Sequence, residues 1–477
     1  MIPLLALVLL PALLALVAYL SRTASVRRAL LLLGAGGHTA GVALLWFGRN
    51  QEAVVPGSWL QLDAMGLMVL TVVSLLFLAC AIYAGAFLRL DHPRGGRVFI
   101  SCLLGFLAAA TLVSLAHHLA LFWIGMEATT LAMAPLIFHR RDRRSLEAVW
   151  KYLVLSSVGI GLALFGTFFL AAAQIEGRPL LLEDLVRHAA TLQPGLLRAG
   201  FIFLLVGYGT KMGLAPLHSW KPDTYGEAPS LVAGLMAGAL TSCAFLGLAR
   251  IAQVMAAAGQ TDFMRPPLLA LGITSLVVSA GFVIGQTDLK RLLAYSSVEH
   301  MGILVLALGI GGAGGYGAML HLVSNGLTKG LIFLAVGNVV LFYRASEAAA
   351  IRGVLQRAPW SGALLVAGLF AVTGSPPFGL FLSEITILGA AIRGGFTWVA
   401  VVMVLLLSII FIGMAKMILD VVYGEAPANA EPVRESFSLI AGPVALGLLV
   451  LMLGVYLPAP FRVLLGEAAR ALGGTSP

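Results

Sequence analysis

The stretch from Phe201 to Leu217 reads FIFLLVGYGTKMGLAPL, an apolar run holding one ammonium, Lys211, with Pro216 five residues beyond it. A charge near a bilayer centre costs roughly 2.5 to 3.5 kcal/mol on insertion scales, so it is seldom kept without a use. The proline removes a backbone donor and its ring clashes with the preceding turn, which breaks the helix just past the charge. A charge and a helix break at one depth point to an ion-handling site in a membrane transporter.

The rest of the chain agrees. Of its 477 residues 60% are hydrophobic and 11% are charged, against about 25% charged in an ordinary soluble domain. A soluble fold is excluded on that ground. The net charge of +9 raises nucleic acid as a partner. The basic residues lie in short loops between apolar segments, however, so the partner they imply is the bilayer. Cys80, Cys102 and Cys243 all fall inside apolar segments, with no CxxC or Cys/His ligand spacing. No disulfide, metal site or bound cofactor is therefore expected in this chain. The first twenty residues lack a basic leader and carry a long apolar run, which reads as a first membrane helix rather than a signal peptide.

Crossing about 30 Å of hydrocarbon takes about 20 residues, and by that measure the chain holds about fourteen spans. Arginine and lysine collect in the odd-numbered loops. The first has Arg22, Arg27 and Arg28, and the third Arg89, Arg94 and Arg97. The fifth has Arg140, Arg141, Arg143, Arg144 and Lys151. Lys290, Arg291, Arg344, Arg352 and Arg357 follow in later ones. Even-numbered loops hold fewer, such as Arg49, Arg265 and Arg393. The positive-inside rule puts the odd loops in the cytoplasm and both termini outside. The connection from Gln174 to Gly200, with Glu176, Arg178, Glu183, Asp184, Arg187 and His188, predicts a short amphipathic surface helix. No linker divides the chain, so residues 1–477 form one all-α polytopic membrane domain.

Four ionisable residues stand within spans: Glu127, Lys211, Lys329 and Glu384. For any one alone a structural ion pair would suffice; four alternating in sign read as an ion path. Lys211 precedes Pro216, and Glu384 follows Pro376 and Pro377, each charge beside a break and five spans apart. Broken helices at corresponding positions of inverted repeats mark the ion path in transporters, because freed backbone groups and water solvate a charge there. Burial and a neighbouring carboxylate act oppositely on an ammonium's hold on its proton, so a moving partner would switch it. Among the histidines, His218 follows the first break and His321 precedes Lys329 by eight residues; both are candidates for proton transfer. His300, His117 and His118 read more simply as helix–helix contacts. The basic loop HRRDRRSLEAVWK reads as a topology determinant, and glycine runs such as Gly311 to Gly317 as close-packing devices.

The runs GTKMGLAPLHSWKPDTYGEAPS, QTDLKRLLAYSSVEHMG, LHLVSNGLTKGLIFLAVGN and GSPPFGLFLSE resemble the signature segments of antiporter-like subunits. These subunits occur in respiratory complex I, Mrp-type cation/proton antiporters and membrane-bound hydrogenases. The likeness covers about residues 60 to 420. The segments WIGMEATTLAMAPLIFHRRDRRSLEAVWKYLVLSSVGI and SLVAGLMAGALTSCAFLGLAR look closest to the hydrogenase-4 component F branch. The resemblance implies fourteen transmembrane helices, with helices 1–3 in 1–90 and helix 14 in 436–460. It further implies two inverted five-helix repeats, helices 4–8 in 97–256 and 9–13 in 266–423, with helices 7 and 12 broken. It also implies proton translocation through Glu127, Lys211, Lys329 and Glu384, with Glu127 pairing Lys211, Lys329 on a central axis and Glu384 at the exit; with the candidates His218 and His321 these make the expected proton-translocation set.

There are departures. Some relatives carry a further lysine where this chain has Ser242, and a histidine where it has Asn325. The chain also ends soon after the last span, without the long lateral helix of the most distal complex I subunit. The resemblance implies a subunit of a redox-driven complex in a prokaryotic cytoplasmic membrane. Its partners would be other membrane subunits and peripheral hydrogenase-like or quinone-reductase-like subunits. A non-redox Mrp-type antiporter or ion-coupled uptake complex is the alternative, and a scaffold without conduction the third reading. Proton is favoured over sodium because no cluster of oxygen ligands reads as a sodium cage.

Overall fold

In hydrocarbon a backbone must satisfy its own polar groups, which an apolar run achieves only as a helix. The computed structural model describes residues 2–48, 57–90, 96–174, 178–426 and 431–474, and these form helices with no β-strand and three isolated bridges in the connections. Arg49, Arg94 and Glu176 lie outside the described residues.

The first half runs α1 (Ile2–Leu20), α2 (Ala24–Gly48), α3 (Ala64–Leu90), α4 (Gly96–Leu115), α5 (Leu119–Ile137) and α6 (Arg143–Ala173). A six-residue helix α7 (Leu182–Arg187) follows, the short helix expected in the connection after span 6. Then come α8 (Pro194–Met212) and α9 (Trp220–Glu227), the halves of a broken span. Helix α10 (Ser230–Leu235) passes through a π turn, Met236–Leu240, into α11 (Thr241–Ala257), and together they make one span.

The second half runs α12 (Thr261–Val283), α13 (Leu289–Ile310), α14 (Ala313–Tyr343) and the short α15 (Val354–Arg357). A second broken span follows, α16 (Pro359–Val372) and α17 (Gly379–Arg393), then α18 (Thr397–Tyr423), α19 (Phe437–Val455) and α20 (Ala459–Ala471). Among the described residues twelve helices are long and apolar enough to cross a membrane, and the two broken spans bring the number to the fourteen expected. Helix α20 was not expected from the sequence. It lays Phe461, Leu464, Leu465 and Ala468 inward after the last span.

The span α10–α11, together with α13 and α14, is enclosed by other helices, whereas α1 and α18 keep most of their surface outward. Lys329, His300 and His321, on α14 and α13, therefore sit where protein surrounds them.

Each break is built on a glycine in the left-handed region. Gly213, φ 71°, ends α8, and its N–H and that of Leu214 return to Thr210 O at 3.0 Å and Gly209 O at 2.9 Å. Gly374, φ 62°, follows α16, and the Ser375 N–H returns to Phe370 O at 2.9 Å. A Cβ at Gly374 would lie 2.0 Å from a Glu384 carboxylate oxygen, so the break has no room for a side chain. At the start of α6, Asp142 accepts the Ser145 N–H at 2.7 Å and closes a capping box. The basic loop thus doubles as a helix start.

One buried guanidinium ties the first bundle together. Arg250 on α11 donates from Nη1 to Ala116 O at 2.6 Å, and from Nη2 to Ser114 O at 3.2 Å and Asp63 Oδ1 at 3.0 Å. It fixes the end of α4 and the start of α3 on α11. Burial pushes the Asp63 carboxyl up, but Arg250 and His117 outweigh it and hold it below the usual carboxylate value.

Arg250→Ala strands the Asp63 charge and two carbonyls, and should destabilise the protein by about 3 kcal/mol or more. Thermal unfolding in detergent checks this, and a variant as stable as the parent would refute the clamp. Because the folded carboxyl is depressed, its stabilisation is present above the unfolded value of about 3.9. It fades as pH falls through the lower folded value, so the gap between parent and variant should narrow in acid. Gly374→Ala should lower stability more than Gly395→Ala. Both carry positive φ, 62° and 81°, and share a strain of about 1–2 kcal/mol, but only Gly374 faces a collision.

Candidate functional site

Lys211 is fully buried in the last turn of α8, next to the glycine that ends the helix. Its ammonium donates to Thr130 Oγ1 at 2.6 Å and Tyr152 OH at 3.1 Å, and stands 4.8 Å from the centre of the Tyr152 ring. The Thr130 hydroxyl lies 3.3 Å from Glu127 Oε2 and donates to it. The expected Glu127–Lys211 pair is thus indirect, with one threonine hydroxyl between carboxylate and ammonium. Glu127 is also only half-buried, one turn from the exposed Ile124 and one turn from the exposed Leu131 on α5.

In the second half Lys329 is buried on α14 and donates to Ser296 Oγ at 2.8 Å. Glu299, three residues after Ser296 on α13, is buried and acts on Lys329 electrostatically. Two turns before Lys329, His321 Nε2 lies 3.1 Å from His300 Nδ1. His321 Nδ1 lies 2.9 Å from Ser383 Oγ, and His300 Nε2 lies 3.0 Å from Val372 O. Glu384, next to Ser383, brings its carboxylate to the same pair, with ligand atoms within 4.8 Å of both rings. All four imidazole nitrogens already have partners, so the cluster reads as a hydrogen-bonded chain and not as an ion cage.

Counting protons on that chain shows what it can do. The Val372 carbonyl only accepts, so His300 Nε2 carries a proton. With both rings neutral, His300 Nδ1 accepts from His321 Nε2–H, and Ser383 donates to His321 Nδ1. Ser383 has a second acceptor, Leu380 O, at 2.8 Å. Turning its hydroxyl there lets His321 Nδ1 donate instead, and the pair holds one more proton with every heavy atom in place. Such a pair can take up and release one proton without moving its heavy atoms.

His218 stands in the first break, half-buried, its ring 6.3 Å from Tyr295, and it bonds to none of the other predicted residues. Ser242 donates to Gly238 O at 2.6 Å across the π turn. Asn325 Oδ1 and Thr328 Oγ1, on the Lys329 helix, are buried without a protein partner.

Reading four ionisable residues within spans was an undercount. Lys221, Arg250, Lys290 and Glu299 are buried too. Lys221, fully buried, donates to Ser297 Oγ at 3.0 Å, and Lys290 to Ala228 O at 2.8 Å. Glu299 was findable, because it lies in the middle of an apolar run that forms α13 (Leu289–Ile310). Lys221 was hidden in WKPD, whose proline and aspartate read as a loop after the break.

The model of the family described as NADH:quinone oxidoreductase/Mrp antiporter, transmembrane, matches residues 116–410. A hydrogenase-4 component F homolog of Methylacidiphilum infernorum is 34% identical over 418 residues, covering 84% of this chain and 86% of that one. NADH-quinone oxidoreductase subunit N of Hydrogenovibrio crunogenus is 27% identical over 421 residues, covering 86% of each. In fold the chain is similar to one in an archaeal membrane-bound sulfane sulfur reductase, with TM-score 0.89 at 21% identity, covering 98% of this chain and 97% of that one. The chain belongs to the NADH:quinone oxidoreductase/Mrp antiporter transmembrane family.

Proposed function

We propose that this protein is a proton-translocating membrane subunit of a multisubunit, redox-driven complex of the hydrogenase-4 or NADH-quinone oxidoreductase kind. The observation that carries the reading is the series of buried ionisable groups linked by hydroxyls and imidazoles. In the first half, the half-buried Glu127 is joined through Thr130 to Lys211. In the second, Lys329 hangs on Ser296 two turns from His321, and the His300–His321 pair meets Ser383 and Glu384. Protons enter and leave along these groups, with His218 serving the first break. The unpartnered Asn325 and Thr328 atoms on α14 favour water beside Lys329, since buried polar groups are normally satisfied.

The same reading places two inverted repeats at 97–256 and 266–423, supported by a glycine-capped break in each. It places the odd-numbered loops on the cytoplasmic side of a prokaryotic cytoplasmic membrane and both termini outside. Electron transfer belongs to partner subunits, and this chain supplies no cofactor. Glu127 supports a neighbouring membrane subunit: a half-buried carboxylate between Ile124 and Leu131 on an outward face would be costly against lipid.

Affinity purification with subunit identification tests the assembly, and recovery with antiporter subunits alone would favour the Mrp-type reading. Lys211→Ala should abolish substrate-driven proton uptake in vesicles carrying the assembled complex while the complex still co-purifies; unchanged uptake refutes the function. Thr130→Val, which removes the bridging hydroxyl, should slow uptake by about tenfold or more. Thr130→Ser should restore most of it, because a hydroxyl alone is needed.

A further inference from the structure

Lys221 is assigned no part in the function proposed above, yet it is among the most deeply buried charges in the protein. It stands in the first turn of α9, with none of its surface exposed. Its neighbours place it. The Trp220 indole donates to Thr210 O at 2.9 Å, so α9 starts against the residue beside Lys211. The Lys221 stem then lies over the break itself, since a Cβ on Gly213 would meet its Cε at 2.4 Å and its Cδ at 2.5 Å. In the same first turn, Asp223 accepts from Lys151 of α6 at 2.6 Å and from Arg291 of α13 at 3.1 Å. The start of α9 is therefore tied to three helices, α8, α6 and α13, which holds the backbone that carries Lys221.

Its head group points the other way along the path. It donates to Ser297 Oγ at 3.0 Å, and the adjacent Ser296 receives Lys329 at 2.8 Å. Two lysines thus hang from consecutive serines of α13, and their charges act on each other. One lysine stem rests against the Lys211 break while its ammonium reaches the Lys329 site. This is the interval where Ser242 offers only a hydroxyl turned to its own helix.

We propose that Lys221 is the proton carrier that joins the two halves of the path, a role that rests on the translocation function proposed above. The Lys211 ammonium gives its proton to the neutral Lys221 amine, and Lys221 in turn gives it to the neutral Lys329 amine. Each step moves one proton between two amines, so charge is conserved and no other reactant is required. Like-charge repulsion disfavours Lys221 and Lys329 both being charged, so Lys221 takes up and passes on its proton only while Lys329 is neutral. Ser296 and Ser297 stabilise either form of the amine, since a hydroxyl both donates and accepts.

The test is proton uptake by vesicles carrying the complete complex, with co-purification of the other subunits as the control for assembly. Lys221→Met should reduce uptake by about tenfold or more with assembly intact. Lys221→Arg should fail as badly, because a guanidinium does not release its proton. Lys221→His, smaller but titratable, should retain a measurable part of the uptake. Normal uptake in the Met variant overturns the proposal. So does normal uptake in the Arg variant, which would mark a fixed structural charge. Failure of the Met, Arg and His variants alike to assemble would mark a packing residue and overturn it as well. Loss of uptake in Lys211→Ala beside normal uptake in Lys221→Met would refute the carrier and leave the function standing. Uptake unaffected in both would refute the function.

Discussion

Desolvation of the ammonium group is the constraint on which this structure depends. An ion taken from water into a low-dielectric interior loses several kcal/mol of hydration that the protein has to replace. Lys211, Lys221 and Lys329 are all fully buried, and each is met first by hydroxyls: Thr130 and Tyr152, Ser297, and Ser296. A carboxylate in direct contact would hold each lysine in its charged form. A hydroxyl accepts from an ammonium and donates to an amine, so it serves both protonation states. The one carboxylate near Lys211, Glu127, is kept one hydroxyl away.

The helix breaks serve the charges by making room rather than by offering carbonyls, since those at the end of α8 are taken up by Gly213, Leu214 and Trp220. The glycines do more than permit the turn. At Gly213 and Gly374 the missing side chain leaves the space taken by the Lys221 stem and the Glu384 carboxylate. In each half a charged residue from beyond the break folds back onto the glycine that ends the preceding helix. The offsets differ, eight residues in one case and ten in the other, so the two devices match in kind without matching in register.

Much of this was legible in the sequence. The fourteen spans and both breaks followed from hydrophobic length and from Pro216, Pro376 and Pro377, because hydrocarbon leaves the backbone little choice. Partnership was not legible. That Thr130 stands between Glu127 and Lys211 depends on how α5 meets α8, and threonine in an apolar run carries no signal of its own. Lys221 was passed over because WKPD has the composition of a solvated turn, and only tertiary packing encloses it. Glu299 had a signal, a carboxylate well inside an apolar span beside His300, and it was overlooked. Helix α20 escaped because a 13-residue amphipathic segment is too short to stand out by hydropathy.

Distance sets what such a series can transmit. Two unit charges 4 Å apart interact by about 4 kcal/mol at an effective dielectric of 20, and by half that at 8 Å. Since about 1.4 kcal/mol is a factor of ten in occupancy, one neighbour's protonation resets the next by orders of magnitude. At 8 Å the shift of about 2 kcal/mol is still more than tenfold, so each member's protonation biases its neighbour strongly and the one beyond it less. The polar groups are arranged to match, with hydroxyls standing between charged side chains or against them: Thr130 between Glu127 and Lys211, and Ser297 and Ser296 under Lys221 and Lys329.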